Sequence, residues 1–263
     1  MSEAAVKSVI EGSVAKLSIN RPDKRNAIDG QVIDGLLQHL SDLAMNQDVR
    51  VIVICGEGPC FSAGIDIAYI AGLGGVDENL RGVFLRELAR KIQSVMNRIE
   101  SIEKPVVAVM RKYAVGLAME LALACDFRIA TKDTTMSLPE IFLGLVPDCG
   151  GATRLTRAVG VPKAKELIML GNPIDAAAAE SLHLLTMVTE PDDLWNVADK
   201  FIARLVERPQ RALGLAKRLV DLSASVDEMT SFELETLVQT GAISAPDFPH
   251  ILAEGMQALL KKK

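Results

Sequence analysis

The chain has 263 residues, 49% of them hydrophobic, and a formal net charge of −5. That length buries a sizeable core without disulfide or metal staples, and the acidic balance argues against the basic face that nucleic-acid binding wants. Four scattered cysteines with no CxxC pair, and only three histidines, leave no zinc-ligand spacing and point to a reduced, cytoplasmic setting.

The opening MSEAAVKSVIEG lacks the basic-then-apolar layout of a secretory leader, and no apolar run is long enough to span a bilayer. GSVAKLSIN (12–20) alternates apolar and polar residues, as a half-buried strand does. RPDKRNA (21–27) reads as a loop. A helix is expected from Asp29, with Ile33, Leu36, Leu37, Leu40 and Leu43 on one stripe, ended by Asn46 and Asp48. The β-branched run VRVIVICG (49–56) predicts a strand covered on both faces. GEGPCFSAG (56–64) is Gly-rich loop, and AGLGGVDEN (71–79) reads as mobile. A long amphipathic helix then runs to about Ser101, followed by a buried strand in KPVVAVM (104–110), opened by Pro105. AVGLAMELALACDF (114–127) holds a helix and FRIA (127–130) a third short strand. Several short helices are expected between 139 and 183, and a last strand in LLTMVTE (184–190). Beyond Pro191 the pattern is helical, broken at Pro209, Ser223 and Pro246, and the terminal KKK reads as a solvated helix end. Strands alternating with helices, then an all-helical tail, predict an α/β fold with parallel strands and a C-terminal helical appendage. The tail's leucines, such as Leu213, Leu219 and Leu260, pack either on its own core or on a neighbouring subunit.

His39, His183 and His250 read as ordinary helix or surface residues, which weakens any Ser-His-Asp arrangement. The acids are more informative. Between Ala114 and Cys125 every residue is small or apolar except Glu120. A helix apolar nearly all round is buried, and an unpaired buried carboxylate is costly or stays protonated. Two readings stand: a salt bridge to a residue such as Arg128 or Arg154, or a carboxyl of raised pKa suited to proton transfer near neutrality. Glu140, in SLPEIFLGLVPDCGG (137–151), is either a helix-start acid or a second pocket acid. Asp148 is either a turn or N-cap residue for a helix starting near Ala152, or a third. FSAGIDI (61–67) and YAVGLA (113–118), with Gly116 where strand becomes helix, are places where backbone N–H groups stay free. Two of them facing one point would form an oxyanion hole.

NRPDKRNA (20–27), FSAGIDI (61–67), KPVVAV (104–109), GLAMELALACDFRIA (116–130), PEIFLGLVPDCGGATRLTRAVG (139–160) and IDAAAAESLHL (174–184) together carry a resemblance to the crotonase family, the enoyl-CoA hydratases and isomerases, over nearly the whole chain. The resemblance implies a ββα spiral acyl-CoA-binding core over 1–190 and a helical oligomerisation region over 191–263, assembled as trimers or dimers of trimers. The ligand would be an acyl-CoA thioester, with no metal and no further cofactor. The oxyanion donors would be the amides of Ile65 and Leu117. Family members commonly have Gly at positions 112, 117 and 118, here Lys112, Leu117 and Ala118; the N–H survives, but bulk and a charge are added.

The two hydratase glutamates fall on Glu120 and Glu140. Asp148 stands where hydratases usually carry Gly and where dienoyl-CoA isomerases, ring-modifying isomerases and some dehalogenases carry a working Asp. Hydration of a 2-enoyl-CoA is thus the first expectation. A double-bond isomerase using Glu140 or Asp148 is the rival, ahead of hydrolase, decarboxylase or dehalogenase chemistry. Lys24 and Arg25 would meet the CoA phosphates. Ala27, Ala63, Asp66 and Ile67 would line the adenine and pantetheine track, with Gly116 beside the thioester, and the stretch 68–85 would cover the acyl pocket. A terminal lysine reaching a neighbour's CoA is a further expectation. The alternative from another class is a protein that binds acyl-CoA without turning it over.

Overall fold

The structure, a computed structural model, describes residues 3–72 and 75–260. The terminal lysines 261–263, and Leu73 and Gly74 of the expected mobile stretch, lie outside the described residues.

β1 (Val6–Glu11) and β2 (Val14–Ile19) form an antiparallel hairpin. α1 (Gly30–Met45) is opened by Asp29, whose carboxylate accepts the Gln31 and Val32 N–H groups, a standard N-cap. Its expected stripe is buried, with Leu37 half-buried at the margin. β3 (Val51–Gly56) follows, then α2 (Ile67–Gly72), α3 (Glu78–Ser101) and β4 (Val106–Met110). β5 (Tyr113–Val115) leads through Gly116 into α4 (Leu117–Ala124). β6 (Phe127–Thr131) and β7 (Thr135–Ser137) precede a 3₁₀ turn over Pro139–Leu143. The expected short helices of 139–183 are instead this turn, the long α5 (Gly151–Leu170) and α6 (Ala176–Ser181), with β8 (Ile174–Asp175) between them. α5 runs on because its break is local: Gly160 takes φ +77° and Pro162 follows, at the start of the second segment, where a missing N–H costs little.

β9 (Met187–Thr189) completes a six-stranded sheet ordered β1-β2-β3-β4-β6-β9, parallel from β2 onward. A three-stranded sheet, β5-β7-β8, is extended by single bridges pairing Ser62 with Ala114 and Ile28 with Ile65. β4-β5-α4 and β6-β7-α5 each place one strand in either sheet before a helix, so the chain climbs as a ββα spiral. The central strands β3 and β4 are buried on both faces, which is why they read as continuous apolar runs. Ile52, Ile54, Val106 and Ala108 face the core shared with α1, α3 and α4. Their alternates Val51, Val53, Val107 and Val109 face α7 (Leu194–Val206) through Leu194, Ala198 and Ile202.

α8 (Gln210–Ser223) is pinned by Lys217, whose ammonium pairs with Asp126 at 2.8 Å and donates to the Ile99 carbonyl at 2.7 Å. α9 (Glu228–Ile243) and α10 (Phe248–Leu260) leave Phe232, Leu237, Leu252 and Met256 exposed. Among the described residues no helix is long and apolar enough to cross a membrane.

Candidate active site

A cavity of about 380 Å³ opens between α2, α3, the start of α4 and the 139–149 segment. Ile70, Leu88, Ile92 and Leu143 make its wall apolar, while Glu120, Glu140 and Asp148 all face into it. No histidine lines it.

Glu120 lies one turn into α4, whose eight residues are all buried, and is itself only 2% exposed. Neither arginine reaches it. Arg128 donates to the carbonyls of Leu184, Ala122 and Cys125, and Arg154 pairs with Glu100 at 2.6 Å. The salt-bridge reading therefore falls. In its place, Glu120 Oε2 accepts the backbone N–H groups of Cys149 (2.9 Å) and Gly151 (2.6 Å). The loop can come this close because position 151 is glycine: a Cβ there would sit 2.6 Å from Glu120 Cγ. Burial pushes the Glu120 carboxyl up to about 7; the Gly151 and Cys149 N–H groups resist, and the charges of Glu140 and Asp148 add to the rise.

Glu140 stands in the 3₁₀ turn, half-buried, with Oε2 buried and lacking a hydrogen-bond partner. Burial, and then the charge of Asp148 against the pull of its own backbone, raise its pKa. Gly116, at φ +55°, lets this carboxyl rest on the start of α4: a Cβ there would lie 2.9 Å from Glu140 Oε1. Asp148 is not the N-cap of α5. Gly150 holds that position, at φ +97° and without a side-chain cap, so Asp148 falls two residues short and its exposed carboxylate turns to the cavity. One ligand atom from each of Glu120, Asp148 and Cys149 lies within 4.8 Å of the others. The Cys149 thiol, which donates to Asp148 Oδ1 at 3.4 Å, is pushed up by burial and by these acids and stays neutral.

Ile65 and Leu117, the residues carrying the two expected donor amides, also line the cavity. Gly64, at φ +89°, packs so tightly that a Cβ would lie 2.2 Å from the Val115 carbonyl oxygen and 3.4 Å from the Leu117 nitrogen. This brings the Gly64–Ile65 and Gly116–Leu117 segments together. The Gly64 carbonyl and the Asp66 N–H both bond Ile28, so strand alternation turns the Ile65 N–H the other way. Leu117 is the first residue of α4, where the helix supplies no acceptor. Among the described residues neither N–H has a partner.

Ala63, Ile67 and Gly116 line the cavity as well, whereas Lys24, Arg25, Ala27 and Asp66 do not. The latter belong to a neighbouring edge, where the Ala63 N–H bonds the Arg25 carbonyl. Arg21 bridges Asp29 and Asp66 at 3.0 Å each, and Lys24 approaches Asp66 at 3.9 Å. Burial would raise the Asp66 carboxyl, but the Arg21 guanidinium and the Ala68 N–H hold it below the usual range. Lys24 and Arg25 are left exposed. Lys112 sits at φ +63° and pairs with Asp133 at 3.3 Å, outside the cavity wall. Leu117 lines the cavity, and Ala118 is fully buried. Sequence reasoning missed the amides of Cys149 and Gly151; the glycine pair of PDCGG was the only signal for them.

A raised carboxyl is a stability liability. The folded chain holds the Glu120 proton up to about pH 7, the unfolded chain loses it near 4.5, so stability falls as pH rises through that window. The amide of Glu120→Gln still accepts both N–H groups and carries no charge. The variant is expected to be more stable than the parent by up to about 3 kcal/mol at pH 8, with no advantage below pH 4.5. Urea unfolding at the two pH values measures this; an advantage of equal size at both would contradict it.

The geometry has counterparts. The family model for enoyl-CoA hydratase/isomerase matches residues 9–263. The chain is 32% identical over 256 residues to the crotonyl-CoA hydratase of Syntrophomonas wolfei, covering 96% of this chain and 94% of that one. The crystal structure of an enoyl-CoA hydratase from Bacillus anthracis superposes with a TM-score of 0.88 at 30% identity, covering 98% and 97% of the two chains. A Thermobifida fusca protein solved in complex with acetoacetyl-CoA superposes with a TM-score of 0.83 at 32% identity, covering 92% and 95%. A match along nearly the whole length, in sequence and in fold, means that the chain belongs to the enoyl-CoA hydratase/isomerase family.

Proposed function

We propose that the chain is an enoyl-CoA hydratase, adding water syn across the double bond of a 2-enoyl-CoA thioester. The observation that carries this is Glu120 and Glu140, two carboxyls of raised pKa, on one apolar cavity beside two unpartnered amides. The charges of Glu140 and Asp148 disfavour ionisation of Glu120, so in this reading the two glutamates carry one proton between them. The ionised carboxyl takes a proton from water as its oxygen bonds the β-carbon, and the protonated one delivers its proton to the α-carbon. The charge arising on the thioester oxygen is met by the Ile65 and Leu117 N–H groups.

Lys24 and Arg25 would receive the CoA phosphates, with Ala27, Ala63, Asp66 and Ile67 along the track. The acetoacetyl-CoA bound by the T. fusca neighbour supports the ligand class. In this reading the reaction needs no metal or further cofactor, and the protein would be a cytoplasmic homotrimer or dimer of trimers. Assembly would run through 191–263, supported by the exposed apolar residues of α9 and α10.

Asp148 favours a second reading. Its carboxylate faces the same cavity, so a double-bond isomerase passing the proton through Glu140 or Asp148 stays the alternative. A panel of 2-enoyl-, 3-enoyl- and dienoyl-CoAs in heavy-oxygen water, read by mass, separates them. One labelled oxygen gained on 2-enoyl-CoA is the expected result. A shifted double bond without label, lost in Asp148→Asn, would establish the isomerase. Binding without turnover across the panel would leave a protein that only holds acyl-CoA.

A further inference from the structure

Cys149 also lines a second, polar recess of about 340 Å³, together with Gln93, Asn97, Glu100, Arg154 and Arg157 among others. Its side chains hold the loop that holds Glu120. Gln93 Nε2, from α3, donates to the Asp148 carbonyl at 2.6 Å. Arg154 Nη1, from α5, donates to the Cys149 carbonyl at 3.2 Å. The Arg154 guanidinium is in turn fixed by Glu100 of α3, through Nε at 2.6 Å and Nη2 at 2.7 Å. The Asp148 carbonyl shares its peptide with the Cys149 N–H, one of the two amides on Glu120 Oε2, and the Cys149 carbonyl belongs to the next peptide.

We propose that Gln93 and the Glu100–Arg154 pair are positioning residues: by gripping the Asp148 and Cys149 carbonyls, they set both the amide cradle of Glu120 and the aim of Asp148. This rests on the proposed use of Glu120 in proton transfer. The side chain and the loop are 29 residues apart in sequence, and a backbone segment containing Gly150 and Gly151 has little stiffness of its own. A bidentate Arg–carboxylate pair is a rigid support for such a segment. The charged and titratable groups around Glu120 are Glu140 from the 3₁₀ turn, Asp148 and Cys149 from the loop, and the Glu100–Arg154 pair of the recess. Gln93 adds no charge to this set, so its loss reports on geometry.

The test is Gln93→Met, with Asn97→Leu in the same recess as control. Weakening the cradle withdraws hydrogen bonds from the ionised carboxyl and raises its pKa. Gln93→Met is expected to lower kcat about 10- to 100-fold with KM within about twofold, and to move one limb of the kcat/KM profile upward by about one pH unit. Asn97→Leu should change neither. Carbon-13 labelling of glutamate, with the Glu120 resonance identified by its loss in Glu120→Gln, follows the same titration without turnover and should move in the same direction. An unmoved Glu120 titration in Gln93→Met overturns the proposal, whatever happens to rate or melting temperature. If Glu120→Gln retains full hydration activity, the catalytic reading fails instead, and the resonance still decides whether Gln93 sets the cradle.

Discussion

Glutamine at either position 120 or position 140 is expected to lower kcat for 2-enoyl-CoA hydration by about 10²–10⁴-fold, with KM little changed. Each carboxyl acts on a proton only as the bond to water forms, so its loss falls on the transition state and spares ground-state binding. The double variant should be no worse than about tenfold below the poorer single one, because the residues work as one unit. The pH profile carries a second prediction from the same geometry. A pair that shares one proton is active only while singly protonated, so kcat/KM should rise as the first proton leaves and fall as the second does. The limbs belong to the pair, and either single substitution should remove one of them. Steady-state kinetics from pH 5 to 9 would decide; a bell preserved in both variants would remove the glutamates from the mechanism.

Glu120 was legible because a lone charge inside an apolar helix has few physical explanations. Its partners were not. Arg128 and Arg154 were natural counter-ions in sequence, but the fold spends Arg128 on carbonyls and Arg154 on Glu100. The partners are instead amides of a loop whose approach depends on glycines at 150 and 151. The long parallel strands were readable from their β-branched runs, since burial on both faces leaves a continuous signal. β5, β7 and β8 are two or three residues long, too short for any period to show. β1 escaped notice because Val9, Ile10 and Glu11 are exposed at a sheet edge, where alternation fades. The motif runs carried the cavity residues Ile65, Leu117, Glu120, Glu140 and Asp148 together, although no local pattern places them within reach of one another. That juxtaposition is made by the spiral, which stacks the turn after β3 against the turn after β5.

The same stacking makes Gly64 a position where a single methyl does great harm. Alanine there must accept φ +89° and put its Cβ 2.2 Å from the Val115 carbonyl oxygen. That neighbour is backbone of a strand held on its other side by β7, so it cannot swing aside as a flexible side chain would. The backbone strain alone costs about 1–3 kcal/mol. The segments must then part, and the Ile65 and Leu117 amides part with them. Losing one such donor typically costs about 10²–10³ in kcat, and Gly64→Ala displaces both at once. Gly241 in α9 is the comparison: nothing lies within 4 Å of a Cβ there, so Gly241→Ala should gain up to about 1 kcal/mol and keep its rate. Thermal melts alongside kcat would separate the two effects. A folded Gly64→Ala protein with the parent's kcat would show that these amides do not hold the thioester oxygen.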